Sequence, residues 1–169
     1  AFKVAINMSA RQFESVNLED EISSYLKRFE LTGDRLELEL TERVLMHDAE
    51  KTAAKLRRLR SLGATISIDD FGTGFSSLSY LTRFPIDKLK IDRSFISQVC
   101  EEADKQVIVS TIIAMAKNLH MSVTAEGVET ATQLMLLRNQ ACDYYQGYFY
   151  SRPVSADDFA VLLKNSDQS

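Results

Sequence analysis

With 169 residues, 45% of them hydrophobic and 26% charged, and with only six Gly and two Pro, the chain has the composition of an ordinary soluble globular protein with one core, which excludes disorder. A formal net charge of -4 argues against a general surface for DNA or RNA duplexes, while leaving room for a small phosphate ligand neutralised by cations. The longest apolar stretch, Val107 to Ala116, is interrupted by Ser110 and Thr111 and falls far short of the roughly 20 residues a membrane span needs.

No signal peptide opens the chain, and Cys100 and Cys142 stand alone, without a CxxC spacing or a nearby His. Both are expected to be reduced thiols of a cytoplasmic protein. Because Ala1 falls inside what reads as a strand, the chain is expected to be a piece of something longer.

Phe2 to Asn7 reads as that strand, with Lys3, Ala5 and Asn7 on one face and Phe2, Val4 and Ile6 on the other. Ser9 with Gln12 has the form of a capping box and opens a short helical turn. Asn17 caps a longer helix whose Ile22, Tyr25, Leu26 and Phe29 make one apolar stripe, with Gly33 as its stop. Leu36 to Thr41 alternates strictly, setting Leu36, Leu38 and Leu40 against Glu37, Glu39 and Thr41. Its acidic face has the pattern of a strand open to solvent. A helix over Ala49 to Leu62 follows, stopped by Gly63, with Lys51, Lys55, Arg57, Arg58 and Arg60 expected on a solvated face.

The stretch Thr65 to Leu78, T-I-S-I-D-D-F-G-T-G-F-S-S-L, is the centre of the chain. Thr65 to Ile68 alternate as a strand does, and Asp69 and Asp70 fall where that strand must end. Phe71-Gly72-Thr73-Gly74-Phe75 then forms a glycine-hinged loop, with Ser76 or Ser77 placed to cap the next helix. One Asp would read as a turn residue. Two in succession before a Gly-x-Gly loop point to a hard-cation site, because adjacent carboxylates repel unless a metal or a proton intervenes.

A short helix through Leu78 and Leu81 breaks at Phe84-Pro85, and Ile86 to Asp92 is a fourth strand with Lys88, Lys90 and Asp92 on one face. Asp104 caps a helix over Lys105 to Leu119, whose Val107, Ile108, Thr111, Ile112, Met115 and Leu119 are expected as a broad buried stripe. Met121 to Glu126 is a fifth strand. Thr130 with Gln133 caps a helix carrying Leu134 and Leu137, and Cys142 to Gln146 is a sixth strand. Ser155 with Asp158 caps the last helix, ahead of a frayed tail from Asn165.

Six alternations of strand and helix without a composition break predict one domain over residues 1–169, with a parallel sheet and crossover helices. Sites in such folds gather at the carboxyl ends of strands, and there the polar residues fall: Asn7, Glu39, Asp69 with Asp70, Lys90 with Asp92, Glu126, and Gln146. Six such endings converge only if the strands curve around a common mouth, as in a TIM-like barrel. A complete eight-stranded barrel takes roughly 250 residues, so the chain is expected to lack about two strand-helix units.

Glu39, Asp69, Asp70 and Glu126, with the Asn7 carbonyl, make an oxygen-only ligand set suited to Mg²⁺ or Mn²⁺ rather than Zn²⁺. Four carboxylates exceed the needs of one ion, so a two-metal centre is expected, able to clamp the attacking and leaving oxygens of a phosphoester while Lys90 stabilises developing charge. His47 and His120 sit away from these strand ends and read as helix-flanking residues. Gly72-Thr73-Gly74 followed by Asp92 imitates a dinucleotide-binding fingerprint, but Ser77 stands where the third glycine would be.

Taken together, Asn7-Met8-Ser9-Ala10, Glu39-Leu40-Thr41-Glu42, Asp69-Asp70-Phe71-Gly72-Thr73-Gly74, Leu89-Lys90-Ile91-Asp92, Glu126-Gly127-Val128-Glu129 and Gln146-Gly147 resemble, in order, the motifs of the EAL-domain phosphodiesterases. That resemblance implies a modified α/β barrel, here N-terminally incomplete, that hydrolyses cyclic di-GMP to linear pGpG with two Mg²⁺ or Mn²⁺ ions. It implies Asn7, Glu39, Asp69, Asp70 and Glu126 as metal ligands, and Lys90, Asp70 and Glu39 as the catalytic group, with Lys90 assisting the nucleophilic water. Gln146 would line the site, Asp92 and Glu129 would support it or contact substrate, and Glu42 would anchor the Gly72-Thr73-Gly74 loop. The loop would couple the metals to a homodimer interface, and the family is commonly fused to GGDEF, PAS or receiver domains. The E-A-L tripeptide that names the family, whose Glu is a metal ligand, has no counterpart in the chain, nor has the Arg that follows it. Two function classes therefore stand: a metal-dependent phosphodiesterase, impaired as this piece, and a non-catalytic cyclic di-GMP sensor or protein-interaction scaffold.

Overall fold

The structure, a computed structural model, describes residues 2–46, 48–74 and 78–166. His47, Phe75 and the candidate caps Ser76 and Ser77 lie outside the described residues. In chain order the elements are β1 (Val4–Asn7), α1 (Ala10–Glu14), α2 (Leu18–Arg28), a 3-10 turn (Gly33–Arg35), β2 (Leu36–Thr41), α3 (Glu42–Leu45) and α4 (Ala49–Ser61). They continue as β3 (Thr65–Phe71), α5 (Leu78–Arg83), β4 (Lys88–Ile91), α6 (Arg93–Ile96), α7 (Ala103–Asn118), β5 (Ser122–Glu126), α8 (Ala131–Asn139), β6 (Tyr144–Gln146) and α9 (Ala156–Ser166).

The six strands form one parallel sheet in the order β1-β2-β3-β4-β5-β6, each next to its sequence neighbours and reached through helical crossovers. The alternation seen in the sequence sorts side chains between the two faces. Leu38, Leu40, Ile66, Ile68, Leu89, Ile91, Val123 and Ala125 are fully buried beneath the helices, where α4 adds Leu56 and Leu59 and α7 adds Val109, Ile113 and Ala116. Each fully buried Leu or Ile contributes about 1.5–3 kcal/mol. The other face carries Glu37, Glu39, Ser67, Asp69, Lys88, Lys90, Thr124 and Glu126, and the sheet curls around it: one ammonium, on β4, reaches carboxylates on β2, β3 and β5. Ordinary α/β barrels fill this interior with branched apolar residues. Here it is polar.

Several expectations are corrected. Glu37 and Glu39 do not face solvent; both are buried, each against a lysine of β4. Helix α2 stops at Phe29, and Gly33 sits in the 3-10 turn, where a Cβ would collide with the Leu62 carbonyl oxygen. Close backbone approach, not helix termination, is its use. Asn17 precedes α2 without a side-chain cap, and Glu102 rather than Asp104 occupies the cap position of α7. On the basic face of α4, Lys51, Arg57, Arg58 and Arg60 are exposed as expected, and Lys55 alone departs from it, largely buried beside the Glu19 carboxylate that Arg58 also bonds. The buried face of α7 consists of Val109, Ile112, Ile113 and Ala116, while Val107 and Ile108 are exposed.

The capping boxes at Ser9 with Gln12 and Thr130 with Gln133 both form, and Ser155 accepts from the backbone of Asp158. Strand β1 and strand β6 are the two edges of the sheet, and all four residues of β1 are exposed. Phe2, Val4, Ile6, Tyr25 and Phe29 line an open apolar groove of about 740 Å³ between β1 and α2, so the stripe on α2 is only half covered. No helix among the described residues is long and apolar enough to cross a membrane.

Candidate metal centre

Parallel pairing fixes the heights at which the acidic side chains meet. Asn7 is in register with Glu39, Thr41 with Asp69, Lys90 with Thr124, and Glu126 with Gln146, which brings the carboxyl ends of β1 to β6 to one mouth. Strict alternation would send Asp70 to the opposite face from Asp69. The register between β3 and β4 shifts between Ile68 and Phe71, and Asp70 takes a φ of 54, in the left-handed region. Such a bulge re-aims a side chain. The outcome is that Asp69, Asp70 and Glu126 each offer a carboxylate oxygen, all within 4.8 Å of one another.

Lys90 stands at the centre, its side chain 5% exposed, with Nζ 2.8 Å from Glu39 Oε1, 2.9 Å from Asp69 Oδ1 and 2.7 Å from Glu126 Oε1. Burial alone would depress the pKa of this ammonium, but the bonds to Glu126, Glu39 and Asp69 outweigh it and raise the pKa above the usual lysine range. Lys90 is a fixed cation at neutral pH. Burial pushes the Glu126 carboxyl up, against the pull of Lys90, and burial together with the Asp69 and Asp92 charges pushes Asp70 up. The cluster therefore holds more negative charge than one ammonium balances.

These residues fit a divalent ion. The donors are hard oxygens without His or Cys, three of them converge, and two are pushed toward protonation in the absence of a second cation. Glu39 joins the cluster through Lys90, while Asn7 lies beside it in register on an exposed edge strand.

The supporting positions are also placed. Asp92 caps α6 by accepting from Ser94 N at 2.9 Å; burial raises its pKa, but those capping bonds and a bond with Asp70 bring it below the usual range. Glu129 binds Arg93 at 2.7 Å, and Gln146 ends β6 next to Glu126. Glu42 Oε1 accepts from Gly72 N at 3.0 Å, Thr73 Oγ1 donates to the Asp70 carbonyl at 2.8 Å, and a Cβ on Gly74 would lie 2.9 Å from Glu42 Oε2. The loop after the aspartates is thus folded around the Glu42 carboxylate. Sequence reasoning missed Arg93, which follows Asp92 at the mouth, and Glu37 with Lys88 beneath it; the shared two-residue spacing with Glu39 and Lys90 was their signal.

The fold is a curled, parallel α/β half-barrel whose mouth gathers carboxylates around one lysine, an oxygen-donor set that could hold a divalent ion. The chain belongs to the EAL domain family, whose description matches residues 1–153. It is 48% identical over 152 residues to the Pseudomonas aeruginosa protein named cyclic di-GMP phosphodiesterase NbdA, covering 90% of this chain and 19% of that protein. It is 47% identical over 160 residues to the Bacillus subtilis signaling protein YkoW, covering 95% of this chain and 20% of that one. Among solved structures, the MucR phosphodiesterase in complex with c-di-GMP superposes with a TM-score of 0.88 at 42% identity, covering 93% of this chain and 64% of the other. The Klebsiella pneumoniae BlrP1 manganese and cyclic di-GMP complex gives 0.82 at 32% identity, covering 89% and 39%. The chain thus spans about a fifth of the length of these curated relatives.

Proposed function

We propose that the chain forms a single EAL unit of a metal-dependent phosphodiesterase that hydrolyses cyclic di-GMP to linear pGpG, with Mg²⁺ or Mn²⁺ in a two-metal site. The observation that carries this reading is the convergence of Asp69, Asp70 and Glu126 around a protonated Lys90. Asp69, Asp70 and Glu126 would hold the ions, with Glu39 and Asn7 completing the ligand set. When bound, such ions lower the pKa of water and neutralise charge on phosphoester oxygens. Lys90 presents a fixed positive charge at the same mouth, which favours an anionic nucleophile and the transition-state charge. Its bonds to Glu126, Glu39 and Asp69 raise its pKa and keep it protonated while they are in place. Gln146, Asp92 and Glu129 line or brace the substrate end, with Arg93 beside them.

Dimerisation is part of this reading. A Cβ on Gly72 would press on the Phe95 ring of α6 and reach Ile112 of α7, so the metal loop lies close to α7, and α7 turns Val107 and Ile108 outward. An exposed apolar patch of that kind suits a second copy of the domain. Fusion to GGDEF, PAS or receiver domains is supported by the small share of each relative that the chain spans, and MucR is named a bifunctional diguanylate cyclase/cyclic di-GMP phosphodiesterase. A cytoplasmic location follows for a nucleotide second messenger.

The test is hydrolysis of cyclic di-GMP by the protein that contains this chain, with Mg²⁺ or Mn²⁺ and with chelator. Asp69→Asn and Glu39→Gln should each lower turnover by more than the about 10–100-fold typical of partners that only orient a ligand. Near-normal rates in Glu39→Gln would sink its ligand assignment. Cyclic di-GMP binding without metal-dependent turnover in the unaltered protein would identify the non-catalytic sensor instead.

A further inference from the structure

Below the carboxylate layer, the polar face of the sheet carries a second set of bonds, each of which skips a strand. Lys3, just ahead of β1, donates to Thr65 Oγ1 on β3 at 2.6 Å. Glu37 on β2 pairs with Lys88 on β4 at 2.6 Å, their side chains 5% and 15% exposed. The same Lys88 ammonium lies 4.9 Å from the centre of the Tyr144 ring on β6. Adjacent strands sit about 4.8 Å apart, so alternate strands of a flat sheet are separated by about twice that. A short bond between alternate strands on one face is a chord, and it holds the sheet curved toward that face.

The upper layer is braced the same way by Lys90 to Glu39 on β2, while the same ammonium also bonds Asp69 and Glu126 on the adjacent strands β3 and β5. That brace has a defect. Its carboxylates are the ones a divalent ion would take, and an oxygen given to an ion is withdrawn from the ammonium. The lower chords share no atom with the upper layer, although Glu37 and Glu39, like Lys88 and Lys90, stand two residues apart on the same face of one strand.

We propose that Lys88, held by Glu37 and backed by Tyr144, is a positioning residue that keeps the curl of the sheet, and so the spacing of Asp69, Asp70 and Glu126, when the Lys90 bonds open to admit metal. This rests on reading the mouth as a metal centre. A buried ion pair often adds little net stability over an apolar pair of the same size. What Glu37 and Lys88 supply is a fixed distance between β2 and β4, and the aromatic face of Tyr144 extends it to β6.

The experiment titrates Mn²⁺ into the protein containing this chain, counting free Mn²⁺ by electron paramagnetic resonance, with thermal unfolding measured in parallel. Lys88→Met is expected to weaken Mn²⁺ binding by about tenfold or more, the range for residues that orient ligands without touching the ion. Lys88→Arg keeps the charge, the reach to Glu37 and the stacking on Tyr144, and is expected to bind Mn²⁺ close to the unaltered protein. Wild-type Mn²⁺ affinity in Lys88→Met, or an equal loss in Lys88→Arg, overturns the proposal. If Lys88→Met does not fold, Tyr144→Leu decides: weaker Mn²⁺ binding supports the chord, and unchanged binding overturns it. The two readings fail separately. A protein that binds Mn²⁺ in a Lys88-dependent way without hydrolysing cyclic di-GMP upholds this inference while sinking the phosphodiesterase reading, and one that binds no Mn²⁺ sinks both.

Discussion

Glu42 Oε1 accepts a hydrogen bond from the backbone N–H of Gly72 at 3.0 Å, which ties the first residue of α3 to the loop that leaves the aspartate pair. The bond joins a carboxylate to a partly buried amide, so its loss costs about 1.5–3 kcal/mol locally. Glu42→Ala is expected to leave the fold intact and to raise amide exchange from Gly72 to Gly74 by roughly tenfold or more. Metal-dependent activity linked to the dimer should fall with it. Unchanged protection of Gly72 together with normal turnover would reject the anchoring role.

Lys90→Met tests the balance of charge at the mouth. Without the ammonium, Glu39, Asp69 and Glu126 are left crowded with no cation, an arrangement that costs about 3–5 kcal/mol when one partner of a buried ion pair is removed. The metal-free variant should melt well below the unaltered protein, and saturating Mn²⁺ should restore more stability to the variant than to the parent. Equal Mn²⁺-induced shifts in melting temperature would show that Lys90 does not stand in for a metal.

The pH dependence of the metal-free protein follows from Glu126 and Asp70. Both carboxyls are raised in the folded state, Glu126 by burial and Asp70 by burial and then the Asp69 and Asp92 charges. A group with a raised folded pKa contributes stability that is complete below its unfolded pKa and is lost as pH rises through the folded one. The loss should therefore begin near 4.5 for Glu126 and 3.8 for Asp70 and continue upward. Lys90, also raised, holds its contribution until pH passes above 10.5. Glu126→Gln should flatten the acidic limb of a melting-temperature profile. A profile that keeps its slope in Glu126→Gln would assign the limb to other groups.

A chain limited to residues 1–169 is expected to associate or to be of low stability, because β1 and β6 are unpaired edges and the Phe2, Val4 and Ile6 side chains stand 51%, 48% and 44% exposed. Little hydrolysis is expected from it. Solution mass and turnover, measured beside a longer chain of the same protein, check both points. A monodisperse monomer with full activity would refute them.

Much of this architecture was legible because strand alternation is a local signal. Six strands, and the meeting of Glu39, Asp69 and Glu126 around Lys90, follow from a period of two and from the parallel order of the sheet, which sets Asn7 and Gln146 in register with Glu39 and Glu126. The acidic face of β2 misled, since burial of Glu37 and Glu39 depends on lysines that lie about 50 residues away and meet them only after folding. The outward turn of Val107 and Ile108 was likewise hidden, because α7 is apolar on most of its circumference and only its neighbours choose which side is covered. Gly33 shows the same limit: a stop signal and a close-packing glycine are spelled with the same letter.

The bulge between Ile68 and Phe71 gives the site an unusual genetic vulnerability. Asp69 and Asp70 both serve the mouth only because one extra residue interrupts the pleat there. Loss of a single codon at this point would restore plain alternation, leaving the apolar side of β3 and its packing beneath the helices undisturbed while removing one acid from the cluster.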